Sequence, residues 1–494
     1  MANLHPLLKP YVPSSDDPFD SMKAAHLLNR AGFGGTPEEV EKVMAMGPEQ
    51  AIDWLMDYPD AAADEEGQND QPDFSNIDGY PKDFRAIREM MAGKTQEERK
   101  ALQQQLMQAN REALMETMKW WMTRLAYGKY PLQEKLTLFW HGHFTTSAKD
   151  ERSASLMFAQ NELLRRMSLG NFHEFVRQIS RDPAMLDYLN NTQNRKEHPN
   201  ENYARELMEL FTLGIGNYTE NDIKNSARAF TGWTHDGDDF IFREAEHDES
   251  PKTFMGRTGN FNGDDIIDLI LQHPKCASYI ASNLWQYFAY EELEEGLAES
   301  MGMFLRENKW ELRPLVRLMF SSKGFYQPRS IGSQIKSPVQ LVVGTIRLLG
   351  LQTPNALQLS FALNQMGQVP LQPPNVRGWP GGRMWINTCT IFVRYNTCVY
   401  LAGGTMPGVL GPRGLIGKGQ GSPRTGGNVS GHFTPTAQGS SDEIVDAWLN
   451  RLIQRPVDTE QKKVLKDALG DVPDERALKN MVQLIMSMPE YQLC

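Results

Sequence analysis

Apolar residues recur at helical spacing through most of the chain. Residues 20–31 (DSMKAAHLLNRA) carry them three and four apart, and Gly32 and Gly34 predict the stop. A second helix is expected near 37–57, with Pro37, Glu38 and Glu39 in its first turn. One long amphipathic pattern runs from 95 to 127 and ends at Gly128; Pro131 opens another helix, which runs into LTLFWHGHF. Helices near 153–169 and 172–181 are separated by Gly170-Asn171, and Asp182-Pro183 caps a short one. Asn200 reads as the cap of ENYARELMELFTL, closed by Gly214, while Thr219 with Asp222 opens DIKNSARAF. Around 234–258 the pattern changes: FIF and KTF, with a polar loop between, predict one small hairpin. Helices resume from 263 through 350. The expected fold class is mostly α, a multi-helix orthogonal array with a small β-hairpin insertion.

Breaks in the pattern suggest the organisation. Residues 1–58 form an N-terminal helical segment, and 59–94 an acidic linker or insertion. Between Pro59 and Tyr80 there are seven Asp or Glu and no Lys or Arg. The main helical domain spans 95–402. Residues 403–440, with twelve glycines, read as a flexible loop, and 441–494 as a helical tail packing on the main domain.

Composition narrows the function classes. A chain of 494 residues is long enough for two or three cores. With 51 Lys+Arg against 62 Asp+Glu, net −11, it lacks the basic footprint that nucleic acid demands. Cys276, Cys389, Cys398 and Cys494 form no CxxC pair, so any metal must rest on histidine and carboxylate. No stretch reaches about 18 uninterrupted apolar residues, so no transmembrane segment is expected. The opening MANLHPLLKPYVPSSDDP has no basic-then-apolar leader, which predicts a soluble, cytoplasmic chain. GxSxG, GxxxxGK[ST] and GxGxxG are absent, so no nucleotide or flavin is indicated.

Four polar constellations could carry chemistry. In Trp140-His141-Gly142-His143-Phe144 the two imidazoles would diverge by about 200° on a helix. They converge on a metal only if Gly142 lies past the helix end; otherwise one is packed and one solvated. Asn202, Glu206 and Glu209 fall within about 60° of one another at roughly 100° per residue. Such a carboxylate stripe beside an apolar face needs a metal, donors, or an arginine such as Arg228 or Arg30. His26 and Arg30, four apart, either hold an anionic group or pack helices together. His247-Asp248 with Lys252 is an acid–base or ligand pair in the hairpin loop, or a solvated turn. PPNVRGWPGG (373–382) reads as an ordered turn packing Trp379.

The blocks HLLNRAGFG (26–34), FWHGHF (139–144), SRDPAMLDYLNN (180–191), HPNENYARELMELFTLG (198–214) and YTENDIKNSARAFTGW (218–233) together resemble a large bacterial family, domain of unknown function 1800. HDESPKTFMG (247–256), IKSPVQLVV (335–343) and PPNVRGWPGG continue the resemblance, which covers about residues 20 to 490. It ties His26, Arg30, His141, His143, Asn191, Asn202, Glu206, Glu209, Arg228, His247 and Asp248 to a recurrent polar pattern. Relatives often have His-Asn-His where this chain has His-Gly-His. Many carry export signals, from which this chain departs at its N-terminus, so the resemblance leaves export open beside the cytoplasmic reading; many are encoded beside proteins similar to the alkaline phosphatase and sulfatase superfamily.

These observations support an expectation of an enzyme with a His/carboxylate site, hydrolysing an ester or glycan-type substrate. A divalent metal would sit on His141, His143 and His247, with His26 as a further ligand. Glu206, Glu209 and Asp248 would be catalytic; Arg30, Asn191, Asn202, Arg228 and Lys252 would bind substrate. The alternative is a non-catalytic helical scaffold or binding partner of a sulfatase- or phosphatase-like protein.

Overall fold

Most helices among the described residues begin where a side-chain oxygen satisfies one of their first free N–H groups. Thr36 with Glu39, Thr95 with Glu98, and Thr219 with Asp222 each form a reciprocal capping box. Asp182 likewise accepts from the Met185 N–H at 2.9 Å. The computed structural model describes residues 4–59, 71–81, 83–150, 153–351, 356–403, 439–470 and 474–494. Among these, 21 α-helices dominate, beside two small two-stranded antiparallel sheets, so the fold is mostly α. Most of the glycine-rich loop and half of the acidic stretch lie outside the described residues. No helix among the described residues is long and apolar enough to cross a membrane.

The strand region differs from expectation. FIF does not pair with KTF. Trp233–His235 pairs with Phe240–Phe242, and Lys252–Phe254 pairs with Arg257–Gly259. The second hairpin closes on Met255 and Gly256, both at positive φ (48° and 76°). That two-residue turn has the twist a hairpin favours, so KTF folds forward onto its own neighbour.

Two hydrophobic cores share one helix. Pro131–His143 places Leu132, Leu136, Phe139 and Trp140 in the first core, with the helices Ser21–Ala31, Phe172–Ser180 and Pro274–Phe288. Its Leu138 joins the second, built from the end of Gln96–Tyr127, from Pro338–Leu349, and from the C-terminal helices Ser441–Leu452 and Glu475–Ser487. A helix with a core on either side is covered all round, and its polar residues are buried with the rest. Glu134, Lys135 and His141 are therefore all inside the protein.

Glu134 shows how a buried charge is accommodated. Its carboxylate accepts from Arg165 Nε (2.6 Å) and Nη2 (2.9 Å), from Arg124 Nε (3.0 Å) and from Trp121 Nε1 (3.1 Å). Burial opposes the ionised form, but Arg165 and then Arg124 hold the carboxyl below its usual range.

Candidate functional site

Three sequence blocks meet at the C-terminal end of Pro131–His143. The first is the WHGHF segment itself. The second is the segment 202–212, helical over Asn202–Glu206 and then a π-helical turn over Leu207–Thr212. Thr212 Oγ1 donates to the Leu207 carbonyl at 2.5 Å, and the Leu213 N–H reaches back five residues to Met208 at 3.0 Å. Such widened turns recur at functional sites. The third is the 373–382 turn. Gly378, at φ +79°, lies so close to the helix end that a Cβ there would stand 2.1 Å from the Gly142 carbonyl oxygen. No side chain fits between these two backbones.

The histidine pair does not converge. His141, Gly142 and His143 all belong to the last helical turn, so the two rings point apart. His141 lies between Trp121 and Trp379, with ring centroids 5.4 and 5.3 Å away, and neither ring nitrogen has a hydrogen-bond partner. Burial pushes it down to about 3. His143 Nε2 donates to the Phe211 carbonyl of the π-turn at 2.9 Å, and burial pushes this ring down to about 4. His247 Nδ1 donates to the Thr231 carbonyl at 2.9 Å, beside Phe242. His26 Nε2 donates to the Phe325 carbonyl at 3.0 Å, and burial lowers it well below the usual range. The four rings have separate surroundings. Among the described residues no three His, Cys, Asp or Glu side chains are grouped to hold a metal ion. The ligand set expected from sequence therefore does not fit a single ion.

Several expected substrate-binding residues are engaged inside the fold. The buried Asn191 donates to the Trp233 carbonyl at 3.1 Å and accepts from Asn194 at 3.2 Å. Asn202 donates to the Leu189 carbonyl at 3.2 Å. Arg228 holds Asp248 at 2.7 Å, Asn225 at 2.9 Å and Ser250 at 2.5 Å. Arg228, Ser250 and its own loop keep the Asp248 carboxyl far below the ordinary range against the opposing effect of burial. Lys252 is fully buried against the Asp248 and Ser250 carbonyls. Arg30 donates to the Ser330 carbonyl at 2.7 Å and to Ser333 Oγ at 3.1 Å, away from both glutamates.

Glu206 and Glu209 remain, half-buried on the 202–212 segment. Tyr218 Oη donates to Glu209 at 3.0 Å, and Arg377 of the 373–382 turn approaches its other oxygen at 3.5 Å. Among the described residues the Glu206 carboxylate makes no hydrogen bond or ion pair. Burial, then the charge of Glu209, raise its pKa, and Arg377 and Arg205 oppose them. Residues 26–493 match the family described as Protein of unknown function (DUF1800). The chain belongs to the DUF1800 family. No curated protein and no solved structure matches it. The three blocks that meet here are all among those that carry the resemblance.

The end of the 373–382 turn also borders a cavity of about 670 Å³, lined by Lys135, His143, Tyr287, Glu291, Trp379 and Arg383 among others. Lys135 and Arg377 escaped the sequence reading as site residues. A clue to Lys135 was present, since it is a cation in a helix whose neighbours Leu132, Leu136, Leu138 and Phe139 are apolar on every side.

Proposed function

We propose that this chain is a hydrolase of ester or glycan-type bonds whose acid–base pair is Glu206 and Glu209. The supporting observation is the unequal environment of two carboxylates one turn apart. Glu209 has Tyr218 and Arg377 as partners, whereas Glu206 has none and is pushed toward its protonated form. Glu206 would donate its proton to the leaving oxygen, and Glu209 would take one from the attacking water. Arg377, on the exposed turn, would bind an anionic group of the substrate.

The test is turnover of 4-nitrophenyl esters and glycosides by the full-length protein. Wild type should release nitrophenolate from one series. Glu206→Gln and Glu209→Gln should each lose roughly 100-fold or more while melting as wild type does. No turnover in either series, or an active Glu206→Gln, overturns the proposal. The scaffold reading draws on a different observation, the hydrogen bonds that commit Asn191, Arg228, Asp248 and Lys252 to partners within the chain. It expects both glutamine variants to be silent and Arg228→Ala to lose stability first.

A further inference from the structure

Lys135 is a cation buried without a side-chain carboxylate. Its Nζ donates to Gln340 Oε1 and stands 4.9 Å above the Phe33 ring and 5.6 Å above Tyr287. Among the described residues no ion pair to it is formed. Its neighbour Glu134 takes four hydrogen bonds from two arginines and an indole, so the same helix turn leaves one charge compensated and the other not. Lys135 also lines the cavity, where Tyr287 and Trp379 present aromatic surface and His143, Glu291 and Arg383 supply polar groups.

The charges acting on the amine are Arg30, which disfavours its protonated form, and Cys494, which favours it. Burial outweighs both and lowers Lys135 from 10.5 to about 7. A lysine desolvated against rings and near a second cation keeps its lone pair available at neutral pH.

We propose that Lys135 is a nucleophilic amine that condenses with the carbonyl carbon of a small aldehyde or ketone held in this cavity. The Nζ lone pair adds to the carbonyl carbon. The two amine hydrogens leave with the carbonyl oxygen as one water, and a C=N bond remains. Neither Glu206 nor Glu209 lines this cavity.

The probe is glycolaldehyde with sodium cyanoborohydride, which reduces the C=N bond to a stable secondary amine. The full-length protein is treated across pH 6–10 and its peptides are mapped by mass spectrometry. Exposed lysines such as Lys94 and Lys100 serve as internal references. At pH 7 an amine titrating near 7 is about half free, while one near 10.4 is free to less than about 0.1%. Even after restricted access, Lys135 should be modified at least about tenfold faster than either reference, with a rate midpoint near 7. Modification no faster than at Lys94 and Lys100, or a midpoint near 10, overturns the proposal. Lys135→Met should lose only that adduct, and the wild-type map decides the question if this variant does not fold.

Discussion

Replacing Glu134 by Gln tests how much a buried charge network contributes to this fold. The glutamate side chain is 2% exposed and Arg165 5%, so water cannot substitute for a lost partner. Glutamine keeps the volume and one acceptor oxygen but turns an N–H₂ toward donors that need an acceptor. Two of the four hydrogen bonds then have no acceptor, and Arg165 keeps Glu162 as its carboxylate partner, with Asn161 and the glutamine oxygen as neutral acceptors. Removing one member of a buried pair costs about 3–5 kcal/mol, against less than about 1 kcal/mol for an exposed pair. The loss should appear at pH 7 as a lower denaturation midpoint in urea with an unchanged slope. The sign of the pH effect follows from the lowered carboxyl. Its contribution is full above the unfolded value of about 4.3 and is lost as pH falls through the folded value, so wild type and variant should converge in acid. Adding Arg165→Met should recover part of the loss, because the unpaired cation is then gone. A loss under about 1 kcal/mol at pH 7, or a double variant worse than the sum of the two single ones, would refute this reasoning.

Two further outcomes follow from the geometry around the helix end. His141→Phe should keep the ring packing between Trp121 and Trp379 and remove a titration. A ring whose folded value is about 3 stabilises the fold above about 6.5 and loses that contribution as pH falls, so wild type should weaken in acid more steeply than the variant; parallel pH–stability curves would show the ring is not buried in neutral form. Gly378→Ala places a Cβ 2.1 Å from the Gly142 carbonyl at φ +79° and should cost about 1–3 kcal/mol by thermal melting. Gly381→Ala, with open space around it, is the control, and equal melting of the two would exclude the close approach.

Much of the architecture was legible locally. Helix starts depend on a side-chain oxygen and an N–H three residues on, so Thr36, Thr95, Asp182 and Thr219 could be read as caps from neighbours alone. The helical period and the family blocks likewise predicted a mostly α fold. Strand pairing was less legible: FIF was expected to pair with KTF, whereas the positive φ at Met255 and Gly256 turns KTF onto Arg257–Gly259, and FIF pairs with Trp233–His235. The stripe of Glu206 and Glu209 was visible as a spacing, whereas its arginine was not: Arg377 lies 168 residues beyond Glu209 and neither Arg30 nor Arg228 reaches it.

By itself, then, the sequence determined most helices, many of their caps and the family, because those depend on residues within a few positions of one another; the exception is Asn200, since the helix there starts at Asn202 with Glu201 at its cap and no side-chain cap bond. The tertiary structure decided which polar groups share a site. It sent His141 and His143 to opposite sides of one helix, paired Arg228 with Asp248, and set Lys135 between two cores beside a cavity. Burial and charge compensation are sums over residues far apart in the chain, and they act on an imidazole or an amine only once the chain has brought those residues together.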